Sequence, residues 1–498
     1  MRHHTTLLTD CFPLVALVAL TRFFTRSHFL YDIDSVNFAL AILKFDPAVY
    51  QPHPPGYFLY IILGRLLNLV TGDANAAFVL ISIAASCGAA VMIYLLAFNW
   101  YGRGAAIAAA LLFACSPLAW FHGTVALTYV VECFFSTTIG YLGWRLKQGH
   151  GSGKALAMTL GIATGFRPST ILFLGPLCLY AMRTRGTKRK IHAVLVLAAT
   201  LLSWLVPMIL LTGGPHRYFD SLLALWSVAP AKNAIWASPI AFSVARFLLV
   251  LAISGLCFGA GLAFSFVQPS PPRPSGRDIS LFIWIWILPG LLFFTLIFLL
   301  FVNSGYLLVL SPPLFAVLGR NIFGWYGHWN SAGYLRNIAL LAATAANTAF
   351  FLFAPLYCSF RSVRRFEADL TSFTSAVRRT IAPDSTMLIG FDSHFLGYRH
   401  AAYYLPEYLT VQYPELRIAG EPGAFAARNR QTLFLRTLPV NHFQTLALLP
   451  LPENKENTVY LDRIYSRFPN HDLKRVRAGR WSFAIASVSD LTHLFGSL

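Results

Sequence analysis

Runs of about 18 or more apolar residues recur between residues 11 and 356, each long enough to cross roughly 30 Å of hydrocarbon as a helix. Backbone amides find no water inside a bilayer, so segments of this length span as helices that satisfy them internally. With 56% hydrophobic and 12% charged residues over 498 positions, the chain is too apolar for an ordinary soluble enzyme. The net charge of +19 does not point to nucleic acid, because the cations sit in short loops between apolar runs and in the C-terminal tail. Loops of that kind orient a membrane protein and touch anionic lipid. The seven cysteines lie within or at the ends of apolar segments. They form no CxxC pair or metal-ligand spacing and read as packing residues. The first apolar run follows Met1-Arg2-His3-His4 without a clear small-residue cleavage site and reads as an uncleaved span.

The basic residues orient the spans. One loop is flanked by Arg145, Lys147 and Lys154, another by Arg183, Arg185, Lys188, Arg189 and Lys190, and others by Arg103, Arg273, Arg277, Arg320 and Arg336. Placing all of them in the cytoplasm predicts spans near 8–25, 74–98, 104–121, 124–145, 191–211, 240–266, 280–300, 306–320 and 338–356. Segment 55–71 is then an interfacial helix, since a span there would carry the basic loop 183–190 outside. Segment 155–182 lies between two basic loops and must go up and return. Its turn falls at Gly165-Phe166-Arg167-Pro168, which puts Arg167 at an outward tip.

The predicted fold class is an all-α polytopic membrane protein over 1–358, with about 11 membrane helices including that short hairpin. A small extracytoplasmic α/β domain follows over 359–498. The tail holds 12 of the 20 acids and 17 of the 39 Lys and Arg, with strand-like runs at 386–391 and 432–435. The Pro-rich stretch 267–278 reads as a linker.

Only eight Asp and Glu precede residue 360, and three of them fall in 32–46. Acids kept in a chain that otherwise excludes them mark chemistry or transport. They sit in an outer loop, 26–72, that runs through Tyr31-Asp32-Ile33-Asp34-Ser35 to His53-Pro54-Pro55-Gly56-Tyr57. Asp34, Asn37, Phe38, Ala41 and Lys44 have helical spacing, so 34–44 is read as a surface helix. Two readings of the acids stand. Asp34 or Ser35 caps that helix, or a carboxylate, Asp34 or Asp32, takes the proton of an attacking hydroxyl as general base.

If the donor is a sugar on a lipid phosphate, the leaving phosphate needs cations. His53, Arg167, Arg217 and Lys232 are the candidates, the arginines through their planar fork. Glu132, beside Tyr129 in span 124–145, is either half of a structural ion pair or part of a cavity, paired with Arg167. Asn303-Ser304-Gly305-Tyr306 with Ser311-Pro312-Pro313 either breaks a helix or brings Asn303 and Tyr306 to a cleft that Tyr57 also lines. The stretch 149–154 (Gly-His-Gly-Ser-Gly-Lys) looks like a phosphate loop but lacks its spacing and reads as a flexible linker.

On these residues the chain resembles the GT-C superfamily of membrane glycosyltransferases, of the protein-O-mannosyltransferase and aminoarabinose-transferase type. Asp34-Ser35 stands where that family carries Asp-Glu, and His53-Pro54-Pro55 where it carries a basic residue before Pro. Glu132, Arg167 and the late Tyr306 turn match an acidic, a basic and a Tyr-bearing position of the family. Ser35 departs from the pattern, while Asp32 supplies an earlier acid. The resemblance implies a polyprenyl-phosphate-linked sugar donor and an acceptor that is a glycolipid, polysaccharide or protein. It implies inverting transfer at the outer face of a bacterial inner membrane, with the tail in the periplasm. No cofactor is required by that scheme, although two acids and a phosphate can bind a divalent metal. A lipid-linked sugar transporter and a non-catalytic membrane assembly protein are the rival readings.

Overall fold

The computed structural model describes residues 2–228, 230–266, 276–324, 332–391, 393–413, 416–418, 421–435, 443–449 and 474–487. The chain forms two compact units. The first comprises Met1–Ser27, Tyr57–Leu210 and Leu225–Ser362, and the second His28–Gly56, Leu211–Ala224 and Val363–Leu498.

The regular elements of the first unit, among its described residues, are all helices. Among the described residues five helices are individually long and apolar enough to cross a membrane: Ala74–Tyr101, Thr187–Leu211, Ile240–Phe266, Asp278–Leu296 and Tyr334–Phe353. A broken pair, Phe301–Val309 and Ser311–Phe323, bends by 69° and makes a sixth if it counts as one span. The hairpin appears as Gly153–Phe166 and Thr170–Met182, with Arg167 between its arms. The segment expected to be interfacial forms the helix Phe58–Thr71.

Three predicted spans differ in detail. Span 104–121 is broken into Arg103–Ala114 and Pro117–His122. Ser116 starts the second piece by accepting the Ala119 amide, and Pro117 takes the first helical position, where its missing N–H costs nothing. Span 280–300 ends at Leu296, where Arg246 takes the Thr295 carbonyl at 2.8 Å and the Ile235 amide takes that of Leu296 at 2.8 Å. Span 306–320 carries the 69° bend, because Pro312 and Pro313 at the start of its second piece cannot continue the preceding hydrogen-bond ladder. The linker expected at 267–278 lies, over 267–275, outside the described residues.

Lipid tails are as apolar as leucine, so helices in a bilayer associate through close packing. Gly319 lies against the backbone of Ala105 and Ala109, where an added Cβ would come within 2.3 Å of the Ala105 carbonyl oxygen. Gly140 leaves a notch that the fully buried Trp286 ring fills. The Trp286 indole donates to Ser136 Oγ at 2.9 Å, and Ser136 donates to the Val309 carbonyl at 2.6 Å. Three elements are thereby tied by one polar group that would otherwise be stranded.

The second unit is built on a mixed sheet of β1 (Thr386–Phe391), β2 (Leu409–Tyr413), β3 (Leu416–Ile418), β4 (Glu421–Arg428), β5 (Gln431–Leu435), β6 (Thr445–Leu448), β7 (Lys474–Ala478) and β8 (Trp481–Ser487). The order is β3-β4-β2-β1-β6-β8-β7, with β5 paired to β4. β1 runs parallel to β2 and β6 at the centre, and the remaining pairs are antiparallel. The strand-like runs at 386–391 and 432–435 are β1 and part of β5.

The segment 28–56 is stitched into this unit by long-range bonds. The His28 amide donates to Glu367 at 2.6 Å, the Leu30 amide donates to the Tyr404 hydroxyl oxygen at 2.8 Å, and the Ile33 amide donates to the His394 carbonyl at 3.0 Å. Gln51 donates to Thr432 at 2.9 Å, and Arg399 donates to both the Val49 carbonyl and Thr432. Val49 also joins Tyr398, Ala402, Phe425 and Ala427 in an apolar cluster.

His400 lies buried with Nε2 3.2 Å from the Leu30 carbonyl. Burial holds its pKa down to about 4, against the Leu30 and Tyr31 backbone bonds that raise it. An unfolded histidine titrates near pH 6.5, so below that pH the unfolded chain binds more protons than the folded one. The stability of this unit should therefore fall as pH drops from about 6.5 toward 4. Hydrogen exchange of the strand amides against pH checks this, and His400→Gln should flatten the slope in that window.

Candidate active site

In the second unit the acidic motif forms around the helix Ile33–Leu43. Asp32, with extended backbone, is its N-cap and accepts the Asp34 amide at 2.9 Å. Its other carboxylate oxygen lies 3.4 Å from His394 Nδ1, and its side chain is 6% exposed. Asp34 is the second residue of the helix, inside its first turn, so it is released from the capping role that Asp32 takes. Its carboxylate lies 3.3 Å from His53 Nδ1 and remains 22% exposed. His53 is presented by the Pro-rich turn, whose Gly56 amide donates back to the His53 carbonyl at 3.2 Å. Gly56 adopts φ 113°, a conformation that favours glycine. The ring of His53 rests 5.6 Å from that of Phe38 on the same helix.

Arg217, counted among the phosphate candidates, is 2.7 Å from Asp46. Asp46 also caps the short helix Pro47–Val49 through the Ala48 amide at 3.2 Å. The Tyr218 hydroxyl donates to the Pro55 carbonyl at 3.1 Å. The Leu211–Ala224 stretch thereby braces both ends of the Pro-rich turn.

The second constellation belongs wholly to the first unit. Arg167 Nε faces Glu132 Oε2 at 3.0 Å, and Arg167 Nη1 donates to Thr128 at 2.6 Å. The other Glu132 oxygen accepts Thr170 at 3.1 Å and Ser169 at 3.4 Å. Three tyrosines surround the guanidinium, with its carbon 4.4 Å from the Tyr129 ring centre, 4.5 Å from Tyr306 and 5.9 Å from Tyr57. Asn303 donates to the Tyr129 hydroxyl at 3.1 Å. Six candidates named from sequence (Tyr57, Tyr129, Glu132, Arg167, Asn303 and Tyr306) thus come together around one buried charge. Lys232 lies exposed in the short helix Pro230–Asn233, in this same unit.

Sequence reasoning missed His394 and His122. His394 follows a strand 360 residues from the motif it touches, and nothing local marks it. His122 is buried with neither ring nitrogen hydrogen-bonded, its ring 4.8 Å from that of Tyr129. It lies in the aromatic run Trp120-Phe121-His122, which reads as packing. Among the described residues no three His, Cys, Asp or Glu side chains converge as a metal-ligand set.

Residues 34–191 match the family model of the protein O-mannosyl-transferase TMEM260 N-terminal domain. Among solved structures the chain is similar to ArnT from Cupriavidus metallidurans bound to undecaprenyl phosphate, with TM-score 0.62 and 12% identity over 97% of this chain and 98% of that one. The apo state of that protein gives TM-score 0.59 and 12% identity over 95% and 97%. At such identity the likeness concerns the fold. No curated protein sequence matches.

Breaking a buried ion pair from one side strands the other charge, at a cost of about 3–5 kcal/mol. Glu132→Ala should destabilise the protein by about that amount, while Glu132→Leu with Arg167→Met should recover most of it. Denaturant unfolding in detergent measures both, and equal losses in the single and double variants would refute the pairing. Asp32→Ala should remove a helix cap, about 0.5–2 kcal/mol, together with the His394 contact.

Proposed function

This chain has the fold of the GT-C superfamily of membrane glycosyltransferases, and we propose that it transfers a sugar from a polyprenyl-phosphate donor to an acceptor hydroxyl, with Asp34 as general base. The observation that carries the reading is the division between two neighbouring acids. Asp32 is taken up by the helix cap, while Asp34 keeps a partly exposed carboxylate held by His53. The match to an O-mannosyl-transferase domain over 34–191 begins at that residue and supports the transferase class.

In the proposed step the acceptor oxygen attacks the anomeric carbon from the face opposite the leaving group. The C–O bond to phosphate breaks, its electron pair leaves with the polyprenyl phosphate, and the configuration inverts. Asp34 takes the proton of the acceptor hydroxyl as the oxygen bonds to carbon. His53 orients that carboxylate. Arg167, fixed by Glu132 and Thr128, is assigned to the donor phosphate, with Tyr57, Tyr129 and Tyr306 as the surrounding wall. Arg217 is assigned a bracing role through Asp46 and Lys232 a steering role at the surface. The structure of ArnT holds undecaprenyl phosphate, a lipid of the donor class proposed. The reaction is assigned to the outer face of the membrane, with a glycolipid, polysaccharide or protein as acceptor.

The test is mass spectrometry of polyprenyl-phosphate sugars and envelope glycans in a host that lacks the gene, complemented with wild type, Asp34→Asn or Asp32→Asn at equal expression. Asp34→Asn should cut transfer by about 10²–10⁴-fold, the usual contribution of a general base, and let the donor accumulate. Asp32→Asn should retain most activity. The reverse ranking would make Asp32 the base, and full activity in both would overturn the transferase mechanism.

A further inference from the structure

The end of the hairpin away from Arg167 holds a second cationic feature, independent of the reading above. A cavity of about 340 Å³ opens there, lined by Lys154, Arg185, Arg189 and His192 with Leu146 and Met182 as its apolar wall. It lies at the start of the helix Gly153–Phe166, whose 14 residues put it about 20 Å along the axis from Arg167. Ser152 caps that helix, and the orphan amides and dipole of a helix start favour an anion.

The local charge is uncompensated. From 133 to 219 the chain carries ten Lys and Arg and no Asp or Glu. The acid nearest by pairing, Asp278, is 3.1 Å from Lys147, which does not line the cavity. Arg185 is held in place by donating through Nη2 to the Leu146 carbonyl, and its buried Nε makes no hydrogen bond. A buried donor left unmade is costly and marks a place where a partner binds. A preset guanidinium edge beside two further cations fits a phosphate, which accepts in that forked geometry.

The surroundings distinguish among phosphates. Arg189 and His192 belong to the helix Thr187–Leu211, whose apolar window is only 11% buried within the protein and so faces hydrocarbon. Leu146 and Met182 give the cavity an apolar wall beside its cations. We propose that this cavity binds the phosphate of an anionic phospholipid headgroup. The stretch 149–154 is then a wall of that site through Gly151, Ser152, Gly153 and Lys154.

The experiment compares the purified full chain with two double variants that remove equal charge. Lys154→Gln with Arg189→Gln alters the lining, and Lys188→Gln with Lys190→Gln alters the same basic loop outside it. Retention of phosphatidylglycerol, phosphatidylcholine or inorganic phosphate is read by native mass spectrometry and thermal shift. Wild type should retain phosphatidylglycerol over phosphatidylcholine. The lining variant should lose roughly tenfold or more in that affinity, as two membrane-facing cations contribute, while the control variant stays close to wild type. Equal losses in both variants would mean diffuse attraction to the membrane surface and overturn the site. Undiminished retention by the lining variant would overturn it as well. Saturation by inorganic phosphate alone, lost in the lining variant, would assign the cavity to a free phosphate and overturn the lipid.

Discussion

Glu132 and Arg167 are tolerable in an apolar bundle only because they meet. Each alone would forfeit its hydration without return, and together they still need their remaining donors and acceptors satisfied. Thr128, Ser169 and Thr170 supply that satisfaction, so one ion pair fixes the start of Tyr129–Lys147 against the hairpin turn. The tyrosine rings complete the enclosure, since a guanidinium over an aromatic face keeps electrostatic favour where water is excluded. A cation held on so many sides cannot turn to follow a ligand.

The second unit handles its acids by a different rule. A helix start has amides to satisfy, and whichever carboxylate takes that duty is immobilised by it. Asp32 takes it and is nearly buried, with His394 on its other oxygen. Asp34, two positions on, shares the dipole's positive end without being consumed by the cap. Neighbouring residues of one type thus receive different environments from geometry alone, which is how two carboxylates come to hold different roles.

Much of the first unit was legible because membrane constraints are strong and local. Apolar length marks the spans, and the basic loops 145–154 and 183–190 force the hairpin that places Arg167. The pairing of Glu132 with Arg167 followed from the cost of leaving either alone. The capping assignment was not legible, because Asp32, Asp34 and Ser35 all suit an N-cap and a shift of one or two residues decides among them. His394 and His122 were hidden for another reason: their significance lies in contacts across distant sequence, and local pattern carries no trace of those. The breaks at Ser116 and at Ser311-Pro312-Pro313 mattered less to topology than to where side chains point.

The anchoring of segment 28–56 in the C-terminal sheet sets an order of events during synthesis. The Leu30 amide waits for Tyr404, 374 positions later, and Gln51 waits for Thr432, 381 positions later. At about 5–20 residues per second the ribosome takes roughly 20–75 s to make that stretch. Closing so long a loop is entropically unrewarded until the far partner exists. The acidic motif therefore leaves the ribosome among the first residues and is among the last to take its shape. A chain arrested after its membrane helices is an inserted protein with an unassembled motif, so the last part of the polypeptide acts as the latch on a segment encoded near its beginning.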